Sequence, residues 1–503
     1  MFGKKFKTIG FLFVICFVLI CLSCSSGAEG NGGETGETGR TAEQNNQNID
    51  ADAVADRLYP DLGEKNFEGH EFKVLAMTTT HIDWEKWKHR DIYAEDENGE
   101  PINDAVYKRN RYVEDKYNCV VSEILAEDHM NVLAKSVRAD DDEYELFYTT
   151  LGNLAGSAAT GNYMDLNEFP VIGLDAPWWD INAKKSLSIG GKLYFCPSDL
   201  ILLHYNAASA IIFNKKMLKD YELEDLYSLA SSGKWTIDKL TGITKDIYQD
   251  INGDGNMDEN DLYGIACYRD ALLGIMHSAG GRICEKDGQD LPYLTLNSEN
   301  AITALNKAFD LMYAPSAWNL HKELEPRGLP VYDITERMFM EDRVLFYSVL
   351  LRDVEQFRGM ESDFGIIPVP KLTEAQQSYG STVNQHVGRA IAVPVTVRDK
   401  ERAGTIIEAL TAESKYTLLP AYYDITLQRK VSRDNESEAM LDMIFSSRIY
   451  DPGAIYNFGN YSMDLIMMTM TQNRNVISLY EKNENRANSD IEKLTANLQK
   501  LEN

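Results

Sequence analysis

The densest run of hard-oxygen side chains in the chain is Asp250-Ile-Asn-Gly-Asp-Gly-Asn-Met-Asp-Glu-Asn-Asp261. Asp250, Asn252, Asp254, Asp258 and Asp261 occupy positions 1, 3, 5, 9 and 12 of this twelve-residue stretch, and Gly255 holds position 6, where the chain must turn sharply. A hard cation takes six to eight oxygens, and alternate residues of a tight loop can supply them. The spacing therefore predicts a Ca2+ ion held by those five side chains and the Asn256 carbonyl. Asp261 stands where such loops usually carry Glu. An Asx-rich turn without metal is the other reading of the same residues. A strand-like run, Tyr263–Cys267, follows at once, which favours a structural clip over a sensor that opens two helices.

Signatures of nucleophilic, metallohydrolase or phosphate-loop chemistry are absent: the chain has no H-E-x-x-H, G-x-S-x-G or G-x-x-x-x-G-K-[ST]. Two carboxylates can serve a glycosidase, but with 78 acidic residues such pairs discriminate nothing. The six Trp and 27 Tyr say more. Sugar rings stack their C–H faces on flat aromatic surfaces, while polar side chains bond the hydroxyls. Trp84 and the Pro177-Trp178-Trp179 step read as cleft residues, with core packing as the alternative for each. Trp235, at a helix start, reads as structural, and Met463–Met470 reads as a buried helix face.

The elements that must position these residues alternate. Strands are predicted at Phe72–Met77, Cys119–Leu125, Leu146–Thr150, Ser209–Phe213, Leu262–Cys267, Val344–Tyr347, Phe364–Val369 and Ala390–Val393. Helices are predicted between them, including 103–116, 129–138, 234–248 and 401–410, and one capped by Ser298 that runs to Met312. The last 70 residues read mostly as helix. Strands separated by helices imply an α/β fold with a largely parallel sheet covered on both faces. Ligands of such sheets gather beyond the carboxyl ends of the strands. That singles out the loops Thr78–Trp84 and Thr149–Asn153.

The N-terminus speaks to compartment. Lys4, Lys5 and Lys7 precede an apolar run, Ile9–Leu22, of 14 residues. A membrane-crossing helix needs about 20, so residues 1–23 read as a cleaved leader. Leu22-Ser23-Cys24 resembles a bacterial lipobox, which makes Cys24 the lipidation site, with ordinary cleavage without lipid as the alternative. Residues 24–66 are expected to be a lipid-anchored, disordered tether, because a Gly/Glu/Thr/Asn-rich segment buries too little apolar surface to fold. Its reach is about 30 Å. Loss of the leader moves the formal charge from −28 to −31. So acidic a surface excludes nucleic acid, and leaves the anchor as the membrane contact. Cys119, Cys196, Cys267 and Cys284 are too few for a disulfide framework, and whether any two pair is left open.

From Phe72 onward the order of short segments resembles family 1 extracellular solute-binding proteins, the carbohydrate group that includes maltose-binding protein. The resemblance rests on Gly161-Asn-Tyr-Met-Asp-Leu-Asn-Glu168, Gly190-Gly-Lys-Leu-Tyr-Phe-Cys-Pro197, Ile212-Phe-Asn-Lys-Lys-Met217 and Lys234-Trp-Thr236. It continues through Tyr263-Gly-Ile-Ala266, Ala279-Gly-Gly281, Met340-Glu-Asp-Arg-Val344, Phe364-Gly-Ile-Ile-Pro-Val-Pro370 and Ile391-Ala-Val-Pro394. Cys196 and Asp342-Arg343 depart from the family pattern.

The resemblance implies a two-lobed, type II periplasmic-binding-protein-like α/β fold with a helical C-terminus. Lobe 1 would comprise 67–205 plus 371–425, and lobe 2 would comprise 206–370 plus 426–503. It also implies a non-enzymatic, monomeric protein that hands a solute, most simply a sugar or oligosaccharide, to an ABC permease at the outer face of the cell membrane. By position in the family pattern, the ligand residues would be Thr79, Trp84, Thr150, Asn153, Arg269, Asp270, Arg352, Tyr456 and Tyr461. Beside these stand Trp178 and Trp179 from the aromatic reading. A secreted glycoside hydrolase, or a surface glycan-binding or scaffold protein, would share the leader, the acidic surface and the calcium loop. The loop is also similar to a dockerin repeat, but dockerins carry two copies and this chain has one.

Overall fold

The computed structural model describes residues 57–78, 87, 89–428 and 435–501. Cys24, Thr79 and Trp84 lie outside the described residues, as do the leader and most of the expected tether.

Two sheets organise the molecule. The first contains β1 (His70–Met77), β2 (Cys119–Ala126), β3 (Leu146–Thr150) and, from much later in the chain, a strand at Arg389–Ala392. β1 pairs in parallel with both β2 and β3, while Arg389–Ala392 runs antiparallel along β3. The second sheet is built from β4 (Ser209–Asn214), β5 (Tyr248–Gln249) and β6 (Leu262–Cys267), followed later in the chain by strands at Ala317–Asn319, Val344–Leu350 and Phe364–Ile367. Short hairpin strands at Cys284–Lys286 and Pro292–Leu294 are β7 and β8, which makes Ala317–Asn319 β9, Val344–Leu350 β10 and Phe364–Ile367 β11. Ser381–Thr382 is β12, Arg389–Ala392 is β13 and Arg448–Ile449 is β14. The second sheet runs in the order β11-β4-β10-β6-β5, with β9 also paired to β6.

β3, β4, β10, β11 and β13 are buried along their whole length, as expected of strands covered on both faces. The sheets are nevertheless mixed rather than largely parallel. β6 pairs in parallel with β10 and β9, but β4 runs antiparallel to β10 and β11, and β5 runs antiparallel to β6. The reason lies in how the chain changes lobes. Ser209, the first residue of β4, sits opposite Leu350, the last of β10, and Arg389, the first of β13, sits opposite Thr150, the last of β3. Each crossing thus enters its new sheet at the carboxyl edge of the parallel strands and must run back against them. The two crossings also pair with each other. Ala208 bridges Val383 and the Asn384 amide donates to the Ala207 carbonyl at 3.0 Å.

Three boundaries differ from the sequence expectation. Ordered chain begins before residue 67: Leu62 is buried, and Lys65 Nζ donates to Glu401 Oε1 at 2.9 Å on the helix Lys400–Tyr416. The return crossing falls at 383–388 rather than at 371, because Lys371 still bonds to the Trp235 carbonyl and the Tyr379 hydroxyl to the Ala230 carbonyl, both in lobe 2. The C-terminal segment belongs to neither lobe alone. Its last helix, Val476–Lys500, packs on β8 in lobe 2 and on the turn Ala158–Thr160 in lobe 1.

Local sequence accounts for many of the elements. Ser298 caps its helix by accepting from the Ala301 amide at 3.2 Å, the role expected of an N-cap serine. Trp235 is fully buried and donates to the Pro368 carbonyl at 2.8 Å. The helix Tyr461–Thr471 buries Leu465, Ile466 and Met468 but exposes Met463 and Met467, so its methionines do not form one buried face as expected. Cys119, Cys196, Cys267 and Cys284 are all free and buried. Burial pushes the thiols of Cys119 and Cys267 up to about 12, so they stay protonated near neutrality.

Candidate ligand cleft

A cavity of about 270 Å³ lies where the second sheet meets the return crossing. Tyr268, Arg269 and Asp270 reach it from the carboxyl end of β6, Ser348, Leu350, Arg352 and Asp353 from that of β10, and Asn384, His386 and Val387 from the crossing. The location follows from topology, since strand carboxyl ends leave side chains and loops around a crevice. Tyr332 and Tyr347 complete the wall with two further rings.

Asp270 precedes the helix Ala271–Ser278, yet its side chain makes no capping bond there. Its Oδ2 instead accepts from Asn384 Nδ2 at 3.1 Å, and Arg269 Nε lies 3.7 Å from Oδ1. Burial raises the Asp270 pKa above the ordinary aspartate value, against the pull of Arg269. Arg269 also reaches Glu325 at 3.1 Å, and its amide lies 3.3 Å from His321 Nδ1. Burial lowers the pKa of His321 to about 3, so that imidazole is neutral. Arg352 is buried, with Nε 3.4 Å from Asp353 Oδ1. Burial also lifts the Tyr332 phenol to about 12, which keeps it a donor at neutral pH. The wall thus presents tyrosine faces, two guanidinium groups, carboxylates and an amide. Such a set can stack a ring and bond hydroxyls in both directions.

Of the residues singled out from sequence, Arg269, Asp270 and Arg352 come together here. Thr150 and Asn153 sit at the carboxyl end of β3 but serve local structure: Thr150 caps the helix Leu151–Ser157, and Asn153 Nδ2 donates to Thr149 Oγ1 at 3.0 Å. Neither lines the cavity. Trp178 and Trp179 are not cleft residues. Both are buried in lobe 1, and their Nε1 groups donate to Glu408 Oε1 and Oε2, each at 2.9 Å. Tyr461 is likewise interior: its ring stacks on Tyr480 and its hydroxyl donates to the Tyr480 carbonyl at 2.7 Å. Tyr456 is half-buried, stacks on Phe458 and donates to the Leu187 carbonyl at 3.1 Å, away from the cavity. Sequence reasoning missed Tyr268, Tyr332, Tyr347, Ser348, Asp353, Asn384 and His386. The polar run Asn384-Gln-His386 just before β13 was a usable signal. The tyrosines, scattered over distant elements, gave none.

The acidic loop forms the exposed tip of the β5–β6 hairpin. Gly255 has φ +84°, the left-handed geometry its position demands. Both carboxylate oxygens of Asp250 accept backbone amides, from Gly253 at 2.6 Å and Gly255 at 2.8 Å. Asp261 is fully buried and accepts from Ile251 at 3.0 Å and Asp258 at 2.9 Å. Asn252, Asp254 and Asp258 each accept the amide two residues on, at 2.8 Å. Among the described residues, no group of three or more His, Cys, Asp or Glu side chains is gathered to hold a metal ion. The donor chemistry suits a hard cation, but here the oxygens are turned to the loop's own N–H groups. Glu259 anchors the hairpin tip to Arg327 through contacts of 2.6 and 2.8 Å.

No protein-family model matches the chain, and no curated protein matches it by sequence. Solved structures do match by fold. A cyclo/maltodextrin-binding protein complexed with maltotetraose is 15% identical, with a TM-score of 0.54 over 85% of this chain and 98% of that one. UspC of M. tuberculosis is 15% identical, with a TM-score of 0.55 over 83% of this chain and all of that one. The chain therefore has the two-lobed α/β architecture of type II solute-binding proteins, as its segment order implied.

Proposed function

We propose that this protein is the carbohydrate-capturing component of an ABC importer, binding its solute between the lobes and releasing it unchanged. The observation that carries the reading is the cavity at the carboxyl ends of β6 and β10, floored by the lobe crossing and lined by Tyr268, Arg269, Asp270, Tyr332, Tyr347 and Arg352. Rings beside charged hydrogen-bonding groups suit a polyhydroxylated ring compound. The fold shared with a maltodextrin-binding protein supports the same class of ligand. At about 270 Å³, near the low end of the roughly 300–1,000 Å³ usual for ligand pockets, the cavity suits one or two sugar units on this wall.

The leader, Cys24 and the Gly/Glu-rich stretch after it support export and lipid anchoring at the outer face of the cell membrane; the reading takes the folded part to act as a monomer. Among the described residues, no helix is long and apolar enough to cross a membrane. The reading includes one structural Ca2+ at Asp250, Asn252, Asp254, Asn256, Asp258 and Asp261, where the ion would replace amide contacts and brace the β5–β6 hairpin.

Calorimetric titration with mono-, di- and oligosaccharides and polyols, maltotetraose among them, tests the proposal. At least one sugar should bind without being altered, and Arg352→Ala should weaken it. Steady hydrolysis of a glycan by the chain, lost on replacing one carboxylate, would overturn the binding reading.

A further inference from the structure

A second cavity, of about 720 Å³, shares no lining residue with the cleft. Its walls come from the helix Ile181–Leu187 of lobe 1, and from lobe 2 residues around Ala230, Arg282–Lys286, Lys371–Tyr379 and Met443–Pro452. Five cationic side chains line it, Lys185, Arg282, Lys286, Lys371 and Arg448, against two carboxylates, Glu285 and Asp451. This is the reverse of the balance in the chain as a whole, which carries a formal charge of −28.

Two of the cations are neutralised by acids just outside the lining: Arg448 by Asp180 at 2.7 Å and Lys286 by Asp290. The other three form no ion pair among the described residues. Lys371 is 3% exposed, and its ammonium donates only to the carbonyls of Glu374 at 3.1 Å and Gln376 at 2.7 Å, with the Tyr379 ring 5.4 Å away. Arg282 spends one nitrogen, Nη1, on the carbonyls of His277 at 2.7 Å and Gly281 at 2.6 Å. Lys185 stands exposed at the rim. Asp451 is buried and already accepts the Ile283, Cys284 and Gly453 amides, with His277 Nε2 at 3.0 Å; it and Glu285 stabilise the Arg282 charge from beyond ion-pair distance, and neither pairs with Lys371 or Lys185. Withdrawing the Lys371 ammonium from water without a counter-charge is unfavourable, and an anion in the cavity would remove that cost. The remaining lining is rich in neutral hydrogen-bonding groups: Asn182, Ser231, Gln377, Ser378, Ser446 and Ser447.

We propose that this cavity is a second ligand site, which takes a polyhydroxylated anion. Its cations would hold the acid group while the amides and hydroxyls bond the polyol. A sugar carboxylate and a sugar phosphate share that chemistry, so both are tested. Titrations of the intact chain would use D-glucuronate, glucose 6-phosphate, glucose and inorganic phosphate. One or both anionic sugars should bind at about millimolar Kd or tighter, whichever binds naming the acid group. Glucose and phosphate should each bind at least about tenfold more weakly at this site. Lys371→Met should weaken the anionic sugar by about tenfold or more, in line with loss of a charged hydrogen bond. Because Lys371 also ties down the 371–376 turn, Arg282→Lys and the surface substitution Lys185→Gln provide folded controls, and each should weaken the same ligand. Asp270→Asn, in the cleft, should leave it unchanged. The proposal is overturned if neither anionic sugar binds or if phosphate alone binds as well. It is overturned equally if Asp270→Asn abolishes binding while Arg282→Lys and Lys185→Gln do not alter it.

Discussion

Replacing Trp178 or Trp179 by Phe separates a structural role from a ligand role for the tryptophan pair. Each indole N–H donates at 2.9 Å to one oxygen of Glu408, a carboxylate only 1% exposed. A hydrogen bond to a charged group contributes about 1.5–3 kcal/mol, and Phe preserves most of the apolar ring. Each single substitution should therefore lower the unfolding free energy by about 1.5–3 kcal/mol in urea titrations. The double substitution should cost less than the sum, because both bonds end on one carboxylate. The sign with pH follows from Glu408. Burial raises its pKa above the ordinary glutamate value, against the indole N–H groups, which favour the ionised form. The bonds contribute while Glu408 is ionised, so the loss on substitution should be full above that raised pKa and shrink as pH falls through it. Sugar affinity should change by no more than about 0.5 kcal/mol, as for sites remote from the ligand. Unchanged urea midpoints together with a collapse of sugar binding would show that the rings face the solute and that this reasoning is wrong.

Asp270→Asn should weaken cleft sugar binding by about ten- to hundredfold, the worth of one hydrogen bond to a charged acceptor. In the parent chain, affinity should fall as pH drops through the raised Asp270 pKa, above the ordinary value of about 3.9; an identical pH profile in Asp270→Asn would remove Asp270 from the site. For the acidic loop, chelation should lower the melting temperature of the parent chain and leave Asp250→Ala/Asp254→Ala unmoved. Saturation at about one hundred times Kd corresponds to about 2.7 kcal/mol. Equal melting curves with and without chelator would dispose of the metal, and a chelator effect on sugar affinity at matched folding would argue against a purely structural ion.

What could be read in advance depended on the range of the forces involved. β3 and β6 fall on the residues their apolar runs predict, Leu146–Thr150 and Leu262–Cys267, because a strand buried on both faces writes itself as a continuous apolar stretch. The helix predicted over 234–248 forms only at Ile237–Thr244, since Trp235 turns inward to Pro368 and the chain past Thr244 joins the β5–β6 hairpin. The tryptophan pair misled for a related reason. Its partner Glu408 lies some 230 residues away, and no local pattern announces a carboxylate that arrives from another element. Arg269, Asp270 and Arg352 were accessible because they follow strand ends directly. Tyr332 and Tyr347 were not, because a tyrosine on a helix or inside a strand has the same local signature whether it faces a core or a cavity.

The antiparallel strands, which the alternation of strand and helix did not foretell, explain why the cleft stands where it does. A chain that leaves one parallel sheet for another can enter at either edge of the new strands. Here both crossings enter at the carboxyl edge, so the connection between lobes and the ligand-facing loops occupy the same space. Asn384 embodies the coincidence: its amide N–H bonds the other crossing at Ala207, and its side chain bonds Asp270 in the cleft wall. A solute hydroxyl that takes Asp270 Oδ2 competes with that side chain, so occupancy of the cleft and the setting of the crossing draw on one acceptor. A ligand shifts a conformational equilibrium only by its difference in affinity for the two states. A shared acceptor at the crossing is a place where such a difference can arise without any contact reaching far into either lobe.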